Sequence, residues 1–263
     1  LAEAGHEVIG VESSEKRRRL IERGRAPFAE PDLDDVLSRH LGEALQVTAD
    51  LQAAVKASEV SLIAVGTPFD GEEIDLSQVD DVVREIGAAL RGTPTYHVVA
   101  VKSTVVPGTT DGRVANLLAA SSGKTIGTEV GLCVNPEFLR EGSAVADFMK
   151  PDRIVVGGVD ERSVQVLREL YGEFSDAPLV ETNCRTAEMI KYASNAFLAT
   201  LISFTNEIAN LCSDIGDLDV VDVMSALHLD RRLSPKLASG DVVRPGILNF
   251  LSAGCGFGGS CLP

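Results

Sequence analysis

"HVVAVKSTVVPGTT" (97–110) is the stretch on which the fold turns. Its opening residues are apolar and β-branched, without the polar alternation of a strand that is half wet. Such a run reads as a strand covered on both faces. Pro107-Gly108 breaks it, and "DGRVANLLAASSG" (111–123) then reads as a helix. The same strand-then-helix sentence recurs on either side. "HEVIGVE" (6–12) precedes "SEKRRRLIERG", a helix with Ser13 or Ser14 as cap and Gly24 as stop. "EVSLIAVGTP" (59–68) precedes "DLSQVDDVVREIGAALRG" (75–92), whose Val79, Val82, Val83, Ile86 and Leu90 share one side. "VGLCVNPEF" (130–138) is a fourth strand, and "RIVVGG" (153–158) and "PLVETN" (178–183) bracket a further helix. Repetition at roughly 30 residues is the pattern of βαβ units and a parallel sheet. The expected fold is α/β: a Rossmann-like parallel sheet domain.

The texture changes near residue 184. "RTAEMIKYASNAFLATLISFTNEIANLCSDIG" (185–216) has no proline, and no glycine before Gly216, so it reads as one long helix; "VVDVMSALHL" reads as another. Two domains are expected, 1–184 and an all-helical 185–263 with a long central helix. "LAEAGHE" reads as the tail of a helix whose start is missing, and "SCLP" as the opening of a helix that does not follow, so the chain reads as a piece of a longer protein.

A net charge of −15 argues against nucleic acid, which needs a basic face. No apolar run approaches the roughly 20 residues of a membrane span, and the first ten residues lack the basic start of a signal peptide. The five cysteines show no CxxC pair, so neither a zinc site nor a redox motif is expected. Reduced thiols and a cytoplasmic location follow.

Ligands of open parallel α/β sheets bind at the carboxyl ends of strands. Glu12 ends the first strand, where an acid can accept both hydroxyls of an adenosine ribose and so select NAD over NADP. Arg17, in the run Lys16–Arg19, could instead reach a phosphate, which keeps NADP open. "VGTP" (65–68) ends the second strand, and Thr104 presents a hydroxyl and an amide at the end of the third, or only closes a turn. "NPEFLREGSA" (135–144) carries Glu137 and Glu141 four apart; a short helical turn would put them on one side, suited to general-base or hydroxyl-binding work, and solvated charges are the alternative. Lys191 and Asn195 share a helix face with Ala187 and Ala199, which leaves room for close approach. Finally, "CGFGGSCLP" (255–263) sets Cys261 behind Gly256, Gly258 and Gly259 and two residues before Pro263. A thiol near a helix N-terminus is acidified and made nucleophilic; a buried apolar filler is the competing reading.

With these stretches in order, "GHEVIGVE", "VGTP", "KSTVVPGTT", "NPEFLREGSAVADFMKPDRIVVGG", "EMIKYASNAFLATLISFTNEIANLC" and "GFGGSCLP", the chain resembles the nucleotide-sugar dehydrogenase family along its whole length. The resemblance implies NAD-dependent, four-electron oxidation of a sugar CH2OH to a carboxylate, through a thiohemiacetal and a thioester on Cys261. It implies oxyanion stabilisation by Lys191, orientation of sugar and water by Asn195, and proton handling by Thr104 and Glu137. It implies cofactor contacts at Glu12, Thr67, Ser103 and Glu141, and sugar-nucleotide contacts at Phe138, Leu139, Arg140, Glu141, Phe257 and Gly258. An arginine matching Arg232 would reach the substrate of a neighbouring subunit, in a homodimer built on the long helix. UDP-glucose is the leading substrate implied, with UDP-N-acetylmannosamine or GDP-mannose as alternatives. No metal is implied. Against the family pattern, the glycine-rich phosphate loop and the C-terminal nucleotide-binding domain are absent, Glu12 stands for the commoner Asp, and "ASGDVVRPGILN" (238–249) is inserted after Arg232. Two rival classes remain: a two-electron β-hydroxyacid-type dehydrogenase, which has no need of Cys261, and a non-catalytic cofactor-sensing or assembly module.

Overall fold

The computed structural model describes residues 1–69, 71–174 and 176–257. In chain order the regular elements are β1 (Val8–Val11), α1 (Glu15–Ile21), α2 (Leu33–His40), β2 (Leu45–Thr48), α3 (Leu51–Lys56), β3 (Val60–Ile63), α4 (Ser77–Leu90), β4 (His97–Val101), α5 (Ala115–Ser122), β5 (Val130–Val134), α6 (Ala144–Met149), β6 (Ile154–Gly158), α7 (Glu161–Leu170), β7 (Leu179–Thr182), α8 (Cys184–Ile215) and α9 (Val220–His228). The strands are shorter than their apolar runs suggest. Each run continues past the ladder into the loop at the strand's carboxyl end, and those loops carry the site.

The chain divides into two compact units, residues 1–191 and 192–263. In the first, β3-β4-β5-β6-β7 form one sheet and β1 pairs with β2 in a separate parallel ladder. β3, β4 and β5 run parallel. β6 then pairs antiparallel with β5 through only Cys133–Gly158 and Val134–Gly157, and β7 returns parallel to β6. The Rossmann-like α/β expectation holds, with a reversal at β6 that apolar patterning cannot reveal. It arises because the link from β5 to β6 does not cross back over the sheet as a parallel connection must.

β4 and β5 are buried at every position. Successive side chains of a strand point to opposite faces, so β4 feeds two cores. Val99 and Val101 join Val79, Val83, Ile86 and Leu90 of α4, Leu118 of α5, and Cys184 and Ala187 of α8. Val98 and Ala100 join Val156 of β6 and Val164 and Leu167 of α7. Polar caps start the helices: Ser14 accepts from Arg17 N on α1, Asp50 from Ala53 N on α3, and Asp160 from Ser163 N on α7. Of the two serines proposed as the first cap, Ser14 is the one used.

In the second unit α8 continues, followed by α9, an isolated antiparallel bridge between Lys236 and Val242, and a 3₁₀ turn at Gly246–Phe250. Met224, Leu248 and Leu251 form its small core, with Leu201 and Ile208 packed against them. Among the described residues no helix is long and apolar enough to cross a membrane.

Gly157 shows how tightly α8 begins against the sheet. A Cβ there would lie 2.7 Å from both Ala187 Cβ and Asn183 O, and 2.9 Å from Cys184 Cα. Two of these neighbours are backbone and cannot swing away. Gly157→Ala is expected to destabilise the first unit by about 1–3 kcal/mol, read as a lower urea midpoint. An unchanged midpoint would mean that the start of α8 is not packed this closely.

Candidate active site at the carboxyl ends of the strands

The loops leaving β3 and β4 are stitched together by side chains. Ser103, buried, donates its hydroxyl to Val65 O at 2.6 Å. Thr67 Oγ1 donates to Thr104 O at 2.8 Å. Three of the residues read as cofactor or proton-handling groups, Thr67, Ser103 and Thr104, are thus held in one place. Glu12 directly follows β1; its Oε1 accepts from Ser14 N at 2.7 Å, and its carbonyl accepts from Arg18 Nη1 at 3.1 Å. A carboxylate fixed at a strand's carboxyl end fits the ribose of a dinucleotide. Arg17 is exposed on the first turns of α1.

After β5 the chain does not take the helical turn expected of "NPEFLREGSA". Residues 135–140 are irregular, and the nearest helix, α6, starts at Ala144. Pro136 explains this: it has no N–H to donate and disfavours helical backbone at Asn135. Glu137 and Glu141 therefore do not form a pair. Glu137 Oε2 accepts from Leu139 N at 2.7 Å, and Glu141 is exposed. Arg140 is committed to Asp147, with Nε–Oδ2 2.9 Å and Nη2–Oδ1 2.5 Å. That guanidinium holds the Asp147 carboxyl down at about 2. Glu30, from the loop before α2, accepts from Gly142 N and Ala144 N and pins the far end of this segment.

α8 brings the second half. Glu188 is buried, and its two carboxylate oxygens accept from Gly108 N at 2.6 Å and Thr110 N at 2.8 Å. One turn on, Lys191, also buried, sets its Nζ 3.5 Å from Glu137 Oε1. Phe138 has two cations near its ring, with Arg153 4.0 Å and Lys191 5.4 Å from its centre. Glu137, Phe138, Leu139 and Lys191 are therefore together, one turn along α8 from Glu188, which holds the turn at Gly108 and Thr110.

The remaining expected residues belong to the second unit. Asn195 lies one turn beyond Lys191 along α8. Arg232 is turned onto its own Asp230, Nη2–Oδ2 2.5 Å. Phe257 is exposed. Gly254 N donates to Asn206 Oδ1 at 2.9 Å, which anchors the start of the glycine-rich segment to α8. Gly258 and Cys261 lie outside the described residues.

Two groups escaped the sequence reading. One is Glu188, a charge facing inward on α8 next to buried Cys184 and Ala187. The other is Lys102, a basic residue immediately after a wholly buried strand, whose Nζ donates to Asn135 Oδ1 at 3.1 Å. In each case the signal is a charge where the pattern calls for an apolar residue.

Comparison with known proteins gives the family. Residues 1–175 match the NAD binding domain of the UDP-glucose/GDP-mannose dehydrogenase family, and residues 185–263 match its central domain. A GDP-mannose 6-dehydrogenase of Pseudomonas syringae pv. syringae is 40% identical over 265 residues, covering all of this chain and 58% of the relative. A UDP-glucose 6-dehydrogenase of Rhizobium meliloti is 43% identical over 270 residues, again covering all of this chain and 57% of the relative. A solved UDP-glucose dehydrogenase from the archaeon Pyrobaculum islandicum superposes with a TM-score of 0.86 at 39% identity, over 99% of this chain and 57% of that one. The chain thus spans a little under three-fifths of the length of these relatives. By these two matches, which between them take in both compact units, the chain belongs to the UDP-glucose/GDP-mannose dehydrogenase family.

Proposed function

We propose that the protein carrying this chain oxidises the C6 hydroxymethyl of a nucleotide sugar to a carboxylate, with Cys261 as nucleophile. The observation that supports the reading is the buried Lys191 ammonium set against Glu137, one turn along α8 from the Glu188 that holds the turn after β4. NAD, when bound, accepts the electrons, two per equivalent. The chain's residues do the rest. Lys191 offers a positive charge in a partly water-excluded site, where it stabilises negative charge developing on the sugar oxygen. Glu137 and Thr104 take and return protons through water. Asn195 orients the sugar and the hydrolytic water. Cys261 adds to the aldehyde carbon, giving a tetrahedral carbon that still bears a hydrogen, so a second oxidation can follow to a thioester. Water then releases the acid and restores the thiol. Glu12, Ser103, Thr67 and Glu141 contact the cofactor, and Phe138, Leu139, Arg140, Phe257 and Gly258 line the sugar nucleotide. Domains 1–184 and 185–263 would divide the work, the first holding the cofactor and the second the nucleophile. In this reading the enzyme works in the cytoplasm, where a thiol stays reduced.

UDP-glucose is the substrate we favour, on the relatives from Rhizobium and Pyrobaculum. GDP-mannose is the alternative, on the Pseudomonas relative. Turnover of a panel of UDP- and GDP-sugars by the full-length protein separates them. With the preferred sugar, about two NADH should form per sugar consumed. Cys261→Ser should lower that turnover by roughly 10²–10⁴-fold. One NADH per sugar, or an active Cys261→Ser variant, would point to a two-electron dehydrogenase instead.

A homodimer through α8 is part of the proposal. Phe197, Phe204 and Leu211 recur every seven residues on that helix and are each about half exposed. A stripe of this period suits a partner helix, and a second copy supplies one. Phe204→Asp in the full-length protein is expected to give a monomer by light scattering. A variant that remains dimeric would place the interface elsewhere.

A further inference from the structure

The segment that carries Glu137 is supported at both ends, and the support at its far end, Glu30, has no part in the chemistry above. Glu30 lies in the loop between α1 and α2, 112 residues before Gly142. Its Oε2 accepts from Gly142 N at 2.9 Å and its Oε1 from Ala144 N at 2.7 Å. One donor to each oxygen fixes the plane of the carboxylate as well as its position. Gly142, with φ 85°, turns the chain here, and two amides come to face one carboxylate. The loop behind Glu30 is braced in turn: Asp34 Oδ1 accepts from Ala26 N at 2.7 Å, and the Ser38 hydroxyl donates to Gly24 O at 3.2 Å.

Residues 140–147 form a unit of their own. Asp147 accepts from Arg140 N at 3.0 Å, from Arg140 Nε at 2.9 Å and from the Ser143 hydroxyl at 3.2 Å. Ser143 N donates back to Arg140 O at 3.0 Å. A unit closed on itself in this way moves as one piece. It continues directly into Leu139, whose N donates to Glu137 Oε2 at 2.7 Å, while Glu137 Oε1 faces Lys191 Nζ at 3.5 Å. A connected path of bonds therefore runs from Glu30, through Gly142 and Ala144, to the carboxylate beside Lys191. The near end of the segment is Asn135, whose backbone N donates to Val101 O at 2.8 Å and whose side chain donates to Val155 O at 2.9 Å.

Resting on the site reading above, we propose that Glu30 is a positioning residue of this centre: by seating Gly142 and Ala144 it fixes the 140–147 unit, and with it the Leu139 amide that aims Glu137 at Lys191. Proton transfer is sensitive to placement, and an error of about 1 Å can cost about 10²-fold in rate. Without Glu30 the unit keeps its internal bonds to Asp147 but loses its seat on the loop before α2. The Leu139 amide then shifts with it, and Glu137 loses its aim. Reach is what Glu30 supplies, since its partners are neutral amides and not cations.

The test uses the full-length protein with saturating NAD and its preferred nucleotide sugar, well below its melting temperature. The variants are Glu30→Ala, Glu30→Asp, Glu30→Gln and Glu137→Gln. Hydrogen exchange by mass spectrometry follows the peptide that contains Gly142 and Ala144. Glu30→Ala should lower kcat by about tenfold and speed exchange in that peptide. Glu30→Asp keeps the charge but is one methylene short, so it should fall as far as Glu30→Ala. Glu30→Gln keeps the reach and one acceptor oxygen, so it should lose no more than about threefold. Wild-type kcat in Glu30→Ala, with exchange accelerated and Glu137→Gln impaired, overturns the role of Glu30 and leaves the site reading standing. Unchanged exchange in Glu30→Ala overturns the contact on which the role depends. A Glu30→Asp with wild-type kcat, or a Glu30→Gln as poor as Glu30→Ala, overturns it as well, since charge and not reach would then be what matters. Wild-type turnover by Glu137→Gln overturns the site reading itself.

Discussion

The structure depends on two charges one turn apart on α8. Glu188 takes the amides of Gly108 and Thr110, and Lys191 meets Glu137. Taking an ion out of water costs several kcal/mol unless its partners are supplied. Glu188 obtains two short backbone donors and Lys191 a carboxylate, and each partner lies in a loop at the carboxyl edge of the sheet. The helix can therefore sit in one register only. A shift by one residue would leave a buried carboxylate without donors and an ammonium facing apolar side chains. The same contacts that place α8 also place the groups proposed to act on the substrate.

The sheet makes this possible by being closed on both faces at its centre. With β4 and β5 buried throughout, their ends are rigid points from which Ser103, Thr104, Asn135 and Glu137 depart. Loops at such ends can carry polar groups precisely because the strands beneath them cannot move. Hydrogen bonds from Ser103 and Thr67 then lock one loop to its neighbour. Gly157 lets α8 begin directly on the sheet, with Ala187 and Cys184 in contact where any side chain would intrude.

Much of the fold was legible because long, strongly patterned segments overrule local ambiguity. α4, α7 and α8, and the fully buried strands, have periodicities that no loop would show. Short and polar elements were not legible. α2, β2 and α3 occupy 33–56, where a few residues each carry too little pattern to stand out. The reversal of β6 was invisible because a buried strand looks alike in either direction. In the site, Glu137, Lys191 and Thr104 were singled out from where they stood relative to strands and helices. The pairing of Glu137 with Glu141 was misread, because a spacing of four implies a shared face only if the backbone is helical, and Pro136 makes it otherwise. Arg140 and Arg232 likewise have partners, Asp147 and Asp230, that no spacing rule assigns to them.

By itself, then, the sequence determined the class of fold, the change from sheet to helix near residue 184, and the chemical types gathered at the strand ends. These rest on periodicity and side-chain identity, which are local properties of the chain. Only the tertiary structure decided that Lys191 meets Glu137, and that Glu188 binds the turn after β4. Those contacts join residues 54 to 80 positions apart, where α8 lands on the sheet. Their existence follows from packing and from the cost of burying an unpaired charge, and neither is written in any one segment.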